Sequence, residues 1–338
     1  MAAVAAPHPG PLPTFVESVE GAAQRLSGSR RVIIAVDGAL GVLPFETLPV
    51  GGRLLIADYD VSYIQSLSML ALLKSRDADY RRLGNRKDLF AMGNAIYQAT
   101  VGDKAAPDAR VPQGKSPAGG NLGKMVSLNT GDPRGIQRAF DLLQLKWPNL
   151  PGTEKEIASV AQIFGTERAT IFTLREATEA KLQQINNQHL LANFRYLLFS
   201  AHGYLSVEEP ALSSLVLGQI DKAPGTDGYV TASEWPSYDL RSDLVVLSAC
   251  DTGRGKIIQG EGVVGLPYAL YVAGNKNTLL SLWPVVDAST AEFMAAFFAK
   301  LKTGMPQSAA LNETKREFIA GASFKQPVYW APFILYGY

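Results

Sequence analysis

Two apolar runs constrain this chain more than any other feature. FRYLLFSAHG (194–203) and SDLVVLSACDTG (242–253) are nearly continuous in Leu, Val, Phe and Ala. Neither alternates apolar with polar residues, as a strand with one wet face does. Such strands are covered on both sides, which is the situation of a parallel sheet between layers of helices. Around them lie further strand-like runs: RVIIAVD (31–37), DLFAMGN (88–94), ATIFTL (169–174), NTLLSLW (277–283) and APFILYG (331–337). LLIADYDVSYI (54–64) reads as one bent strand or two short ones, and SSLVLG as a further short strand. Helical spacing marks 66–75, 177–187, 262–273, 289–301 and 307–319. Thr153 with Glu156, and Ser289 with Glu292, have the spacing of capping boxes that open helices. This alternation predicts a three-layer α/β/α sandwich with a mostly parallel central sheet.

Residues 1–30, opening MAAVAAPHPGPLP, read as a disordered lead with a short amphipathic helix near 15–26. Residues 31–338 read as one domain. The stretch at about 95–136, rich in Gly, Pro, Lys and Ala, reads as a mobile insertion, because the strand–helix alternation resumes after it. Apolar residues make up 47% of the 338 and charged residues 19%, enough for a sizeable core. Thirty-two basic and 31 acidic residues give no basic surplus, which argues against a nucleic-acid partner. The single cysteine, Cys250, excludes an internal disulfide and suggests a reducing, cytoplasmic location. One cysteine and three histidines do not suggest a metal centre, and no cofactor is expected. The absence of any apolar run of about 18 residues predicts no membrane span.

Sites in open α/β sheets form at the carboxyl ends of strands. The two best strands here end in His202-Gly203 and in Cys250. They are 48 positions apart, room enough for a crossover that returns the chain to a neighbouring parallel strand. A cysteine at a strand end is commonly just a small buried residue, and a single histidine carries no more meaning. The paired placement is what suggests chemistry. An imidazole titrating near ~6.5 can take the proton of a thiol near ~8.5 and return it to a leaving amine. Gly203 permits close approach of a substrate backbone. The backbone N–H groups of Gly203 and Cys250 are candidate oxyanion donors.

A competing motif, GEGVVG (260–265), matches G-x-G-x-x-G. It follows the strand end by about ten residues, whereas a dinucleotide fingerprint begins directly after its strand. No P-loop and no G-x-S-x-G elbow occurs.

At these residues the sequence resembles the CHAT family, caspase-like cysteine peptidases of clan CD related to separases, gingipains and legumains. The matching segments are DGALGVLPFETL (37–48), FSAHGYL (199–205), LSACDTGRG (247–255), GEGVVGLPYALYVAG (260–274), SLWPVVD (281–287) and YWAPFILYG (329–337). The resemblance implies a caspase-like α/β fold and a Cys–His dyad without a third member. His202 would be the dyad histidine and Cys250 the nucleophile of peptide hydrolysis through a thioester. By analogy with related enzymes, the first strand and the WPVVD loop flank the specificity pocket. Asp287 and Asp37 are therefore candidates for an acidic wall that receives a substrate Arg or Lys; Asp251 and Glu261 are secondary ones. The expected partner is a protein or peptide substrate with a basic residue before the scissile bond. An activating protein partner is compatible with this. The competing reading is a catalytically silent, caspase-like interaction module. Family members often follow tetratricopeptide or other helical repeats, of which this chain shows none.

Overall fold

Apolar runs covered on both faces require helices on both faces, and the computed structural model supplies them. It describes residues 2–4, 26, 28–36, 40–41, 43–99, 145–204, 210–248, 261–283, 285 and 287–338. The strands are β1 (Ala2–Val4), β2 (Arg31–Ala35), β3 (Pro49–Val50), β4 (Arg53–Leu54), β5 (Asp60–Ile64), β6 (Lys87–Ala95) and β7 (Ala169–Leu174). They continue with β8 (Phe194–Ser200), β9 (His202–Tyr204), β10 (Ser214–Val216), β11 (Tyr229–Thr231), β12 (Leu244–Leu247), β13 (Thr278–Ser281) and β14 (Phe333–Tyr336). The longer helices are α1 (Leu67–Arg82), α2 (Gly152–Phe164), α3 (Glu179–Asn187), α4 (Glu261–Val272), α5 (Asp287–Lys302) and α6 (Gln307–Ala320).

The central sheet runs β1-β2-β5-β14-β13-β12-β8-β6-β7. Successive residues of a strand point to opposite faces. Phe199 and Leu247 therefore enter one apolar cluster, with Trp235 and Leu270. Leu198 and Val246 enter the other, with Val160, Phe297 and Phe298. All four strand residues are buried, which is why neither run alternates.

Neighbouring strands pair in parallel at every position except β13 with β14. That one antiparallel junction divides the mostly parallel sheet into two blocks. The strands β1, β2, β5 and β14 run one way; β13, β12, β8, β6 and β7 run the other. Between β8 and β12 the chain makes a small antiparallel sheet of β9, β10 and β11.

Several local expectations are corrected. Residues 54–64 are not strand throughout: a one-turn helix, Leu55–Asp58, precedes β5. The helix expected at 66–75 continues to Arg82. Neither capping box forms. Helix α2 opens with Pro151 at its N-cap. Thr153 instead accepts from the Asn94 backbone N–H at 2.9 Å, and Glu156 is buried, accepting from Ser200 Oγ. Ser289 lies inside α5, two residues past its start. Tertiary partners outcompete the local ones at Thr153 and Glu156. The lead expected to be disordered is strand at Ala2–Val4, which pairs in parallel with β2; the expected helix near 15–26 falls outside the described residues apart from Leu26, as does 100–136 of the expected insertion. Residues 95–99 do not belong to an insertion: Ala95 ends β6 and Tyr97 is buried in the core.

At the amino ends of the second block, ion pairs hold the strands together. Asp243, just before β12, meets Arg86 at 2.9 Å, Lys276 at 3.0 Å and Arg195 at 3.3 Å. Lys276 also reaches Asp77 at 2.7 Å.

Candidate active site

The carboxyl ends of β8 and β12 form the candidate site. The two strands are parallel neighbours, with Phe199 opposite Leu247, and the Ser248 N–H donates to the Phe199 carbonyl at 2.9 Å. Ser200 and Ser248 thus leave the sheet side by side. His202 follows the first by two residues. Cys250 follows the second by two and lies outside the described residues, as do Asp251 and the rest of the segment up to Gly260.

His202 sits just past β8 at the start of β9, facing Val216 of β10, and is 2% exposed. Its Nε2 is 2.7 Å from the Pro148 carbonyl oxygen. A carbonyl only accepts, so Nε2 carries the ring hydrogen, and in the neutral imidazole Nδ1 holds the lone pair. Two aromatic rings fix the plane. Tyr97 stands edge-on with ring centres 4.7 Å apart, and Trp147 lies tilted at 5.1 Å. The Tyr97 hydroxyl accepts from the His202 backbone N–H at 3.1 Å and donates to the Val216 carbonyl at 3.0 Å. Desolvation holds that phenol well above its ordinary pKa, so it stays protonated and can donate. Trp147 is itself anchored, its indole N–H donating to Tyr229 Oη at 2.9 Å.

Sequence reasoning missed Tyr97, Trp147 and Pro148. They flank the Gly/Pro-rich stretch and belong to no periodic pattern. Their one visible signal is a large aromatic residue on each side of that stretch, where a polar linker would be expected to carry neither.

Gly203 lies in β9 opposite Leu215 and is buried. Asp287 is the first residue of α5, the helix that follows β13, and β13 is the other neighbour of β12. Asp37 lies outside the described residues. Val36, just before it, follows β2, which runs opposite to β12. The chain therefore leaves β2 at the sheet edge remote from Ser248. The strand whose carboxyl end flanks His202 is β6, leading to Tyr97. Trp283 is half-buried and packs on the cluster containing Phe293, its indole N–H donating to the Val328 carbonyl at 3.3 Å. The GEGVVG run is helical from Glu261 onward, so its later glycines sit within α4 rather than in a phosphate-cradling turn.

A family model described as "CHAT domain" matches residues 15–338. The chain belongs to the CHAT family. This CHAT chain is 27% identical over 213 residues to human (Homo sapiens) "Tetratricopeptide repeat protein 28", covering 56% of this chain and 8% of that protein. The mouse (Mus musculus) protein of the same name is 26% identical over 215 residues, covering 56% of this chain and 9% of its own. The chain thus spans less than a tenth of the length of these relatives. Among solved structures, the Saccharomyces cerevisiae separase–securin complex aligns with a TM-score of 0.45 and 16% identity, over 91% of this chain and 16% of that one. Among the described residues no helix is long and apolar enough to cross a membrane, and no group of three or more His, Cys, Asp or Glu side chains is placed to hold a metal ion.

Proposed function

We propose that this CHAT chain is a cysteine endopeptidase in which Cys250 is the nucleophile and His202 its proton acceptor and donor. One observation carries the reading. The segments bearing these two residues leave adjacent parallel strands at the same sheet edge, in register, with the imidazole held in one tautomer by the Pro148 carbonyl.

The chemistry follows from that tautomer. Nδ1 takes the thiol proton, and the thiolate sulfur attacks the substrate carbonyl carbon. The oxyanion so formed is received by the N–H groups of Gly203 and Cys250. The tetrahedral species collapses to a thioester as Nδ1–H gives its proton to the departing amine. Water, deprotonated by the same nitrogen, then releases the acid and restores the thiol. The Pro148 carbonyl is well suited to this cycle, because it favours the imidazolium without becoming protonated itself.

Substrates carry Arg or Lys before the scissile bond, received by Asp287, which opens the helix after the strand beside β12. Asp37, the second candidate for that acidic wall, lies outside the described residues. The partner is a protein or peptide with such a residue, with an activating protein as a further partner. The lone thiol suits a reducing, cytoplasmic setting.

The test is hydrolysis of fluorogenic peptides ending in Arg or Lys by the wild type, Cys250→Ala and His202→Ala. The expected result is turnover by the wild type and a loss on the order of 10³-fold or more in both variants. Equal rates in wild type and Cys250→Ala would remove Cys250 as nucleophile. Asp287→Asn should raise KM for basic peptides and leave apolar ones unchanged.

The human and mouse relatives are named for their tetratricopeptide repeats, which favours a second reading as a silent interaction module. Iodoacetamide separates the two. A low-pKa, exposed thiol is alkylated rapidly near neutral pH, and a buried structural thiol is not.

A further inference from the structure

Neither segment that holds the His202 ring belongs to a β-ladder. Residues 96–99 follow the end of β6, and residues 145–150 have no regular secondary structure. Without ladder hydrogen bonds, something else must fix their register. One side chain does so. Asn149 Oδ1 accepts from the backbone N–H of Tyr97 at 2.8 Å and of Gln98 at 3.2 Å, and its Nδ2 donates to the Gln98 carbonyl at 3.2 Å. A single carboxamide thus makes the bonds that a paired strand would have made.

We infer that Asn149 is a positioning residue for His202: its amide locks Trp147-Pro148-Asn149 against Tyr97-Gln98 and so aims the Pro148 carbonyl at Nε2. The neighbouring anchors act on other atoms. Trp147 is held through its indole by Tyr229. Thr153, which donates to the Leu150 carbonyl at 2.7 Å and accepts from the Asn94 N–H, fixes the start of α2. Both keep the segment nearby when Asn149 is altered. Neither sets the rotation of the peptide plane that carries the Pro148 oxygen. Pro148 has a ring-fixed φ, and its ψ places that oxygen. The next residue, tied by the Asn149 amide, is what limits ψ. A small rotation moves the carbonyl off the line of the Nε2–H bond, and hydrogen bonds weaken steeply with angle.

This inference rests on the peptidase reading for its kinetic consequence, but its first readout does not. The chain has three histidines, His8, His189 and His202, so imidazole ¹⁵N spectra can be assigned with Gln variants of the other two. In the wild type, His202 should show the Nε2–H tautomer. In Asn149→Ala it should shift toward a mixture of tautomers. Asn149→Asp, which keeps both accepted bonds and loses the donated one, should lie between. In the peptidase assay, Asn149→Ala should lose about tenfold or more in kcat with little change in KM, since misplacing a catalytic group by about an ångström costs up to ~10²-fold. Asn149→Asp should recover part of that loss. Should Asn149→Ala not fold, Asn149→Ser carries the same expectation, its hydroxyl being too short to bridge both residues.

A folded Asn149→Ala or Asn149→Ser protein with the wild-type His202 spectrum overturns the positioning role. A tautomer shift in a chain whose wild type cleaves no peptide sustains the positioning role and overturns the peptidase reading instead.

Discussion

The two edges of the five-strand block β13, β12, β8, β6 and β7 are built on opposite principles. At the amino edge, charge meets charge. Burial alone would push the Asp243 carboxyl up, but Lys276, Arg86 and Arg195 outweigh it and hold the group below its ordinary range. At the carboxyl edge, the described groups that touch His202 are neutral: a carbonyl, a phenol and an indole. The difference teaches what each edge is for. A fixed ion pair gives mechanical strength by making one protonation state hard to leave. On the proposed peptidase reading the His202 ring gains and loses a proton in every turnover, and such a ring is better fixed in orientation by groups that do not themselves titrate near neutrality.

The largest expected effect tests the amino edge. Asp243→Ala removes the carboxylate shared by Lys276, Arg86 and Arg195, leaves Lys276 with Asp77 as its one ion partner among the described residues, and should cost up to about 3–5 kcal/mol of unfolding free energy in urea titrations. The His202 spectrum should not change. A variant as stable as the wild type would break the comparison. The sign with pH follows from the depressed carboxyl. Its stabilising contribution is present above the ordinary carboxylate pKa and is lost as pH falls through the lower folded-state value. The wild type should therefore lose more stability on acidification than Asp243→Asn does.

A middle-sized effect probes the carboxyl edge. Tyr97→Phe keeps the ring against His202 but removes the hydroxyl that joins the His202 N–H to the Val216 carbonyl. A buried donor left without its acceptor costs about 1–3 kcal/mol. If the peptidase reading holds, the loss in kcat should exceed what the stability change accounts for at a temperature where both proteins are folded.

A subtler effect sits close behind the site. Burial pushes the Glu179 carboxyl up to about 7, against the pull of the Gly228 and Asp227 backbone N–H groups that donate to it. Those residues lead into Tyr229, the anchor of Trp147. A carboxyl whose folded pKa is raised binds more protons folded than unfolded, so stability falls as pH rises from about 4.5 toward 7. Glu179→Gln should flatten that fall, read as a smaller drop in Tm between pH 5 and pH 8. An unchanged slope would remove Glu179 as its source.

The smallest effect concerns the stretch that the site brackets. Asn149 ties residues 97–98 to residue 149, so the two ends already meet. Replacing 103–141 by a short Gly/Ser linker should change stability by about 1 kcal/mol or less, since closure cost varies only slowly with loop length. A much larger loss would mean that these residues contribute to the fold itself.

The architecture was largely legible in the sequence. Apolar runs without alternation mark strands with helices on both faces, and β8 and β12 are parallel neighbours, as their patterns imply. Boundaries were less legible where tertiary bonds displaced local ones, as at Thr153 and Glu156. The site was half legible. His202 announced itself by following a buried strand. Its holders, Tyr97, Trp147, Pro148 and Asn149, did not, because they lie in irregular segments about fifty positions apart and come together only in the folded chain.

Burial on two faces is a property each strand carries in its own composition, so the sequence alone determined which segments line the middle of the sheet and which of them end in a histidine and in a cysteine. Strand direction is not carried in composition. Only the folded chain decided that β14 returns antiparallel to β13, because direction depends on which strands pair and how the connections run. That reversal puts the end of β2 at the far edge, and it leaves β6 as the strand that delivers Tyr97 to the imidazole.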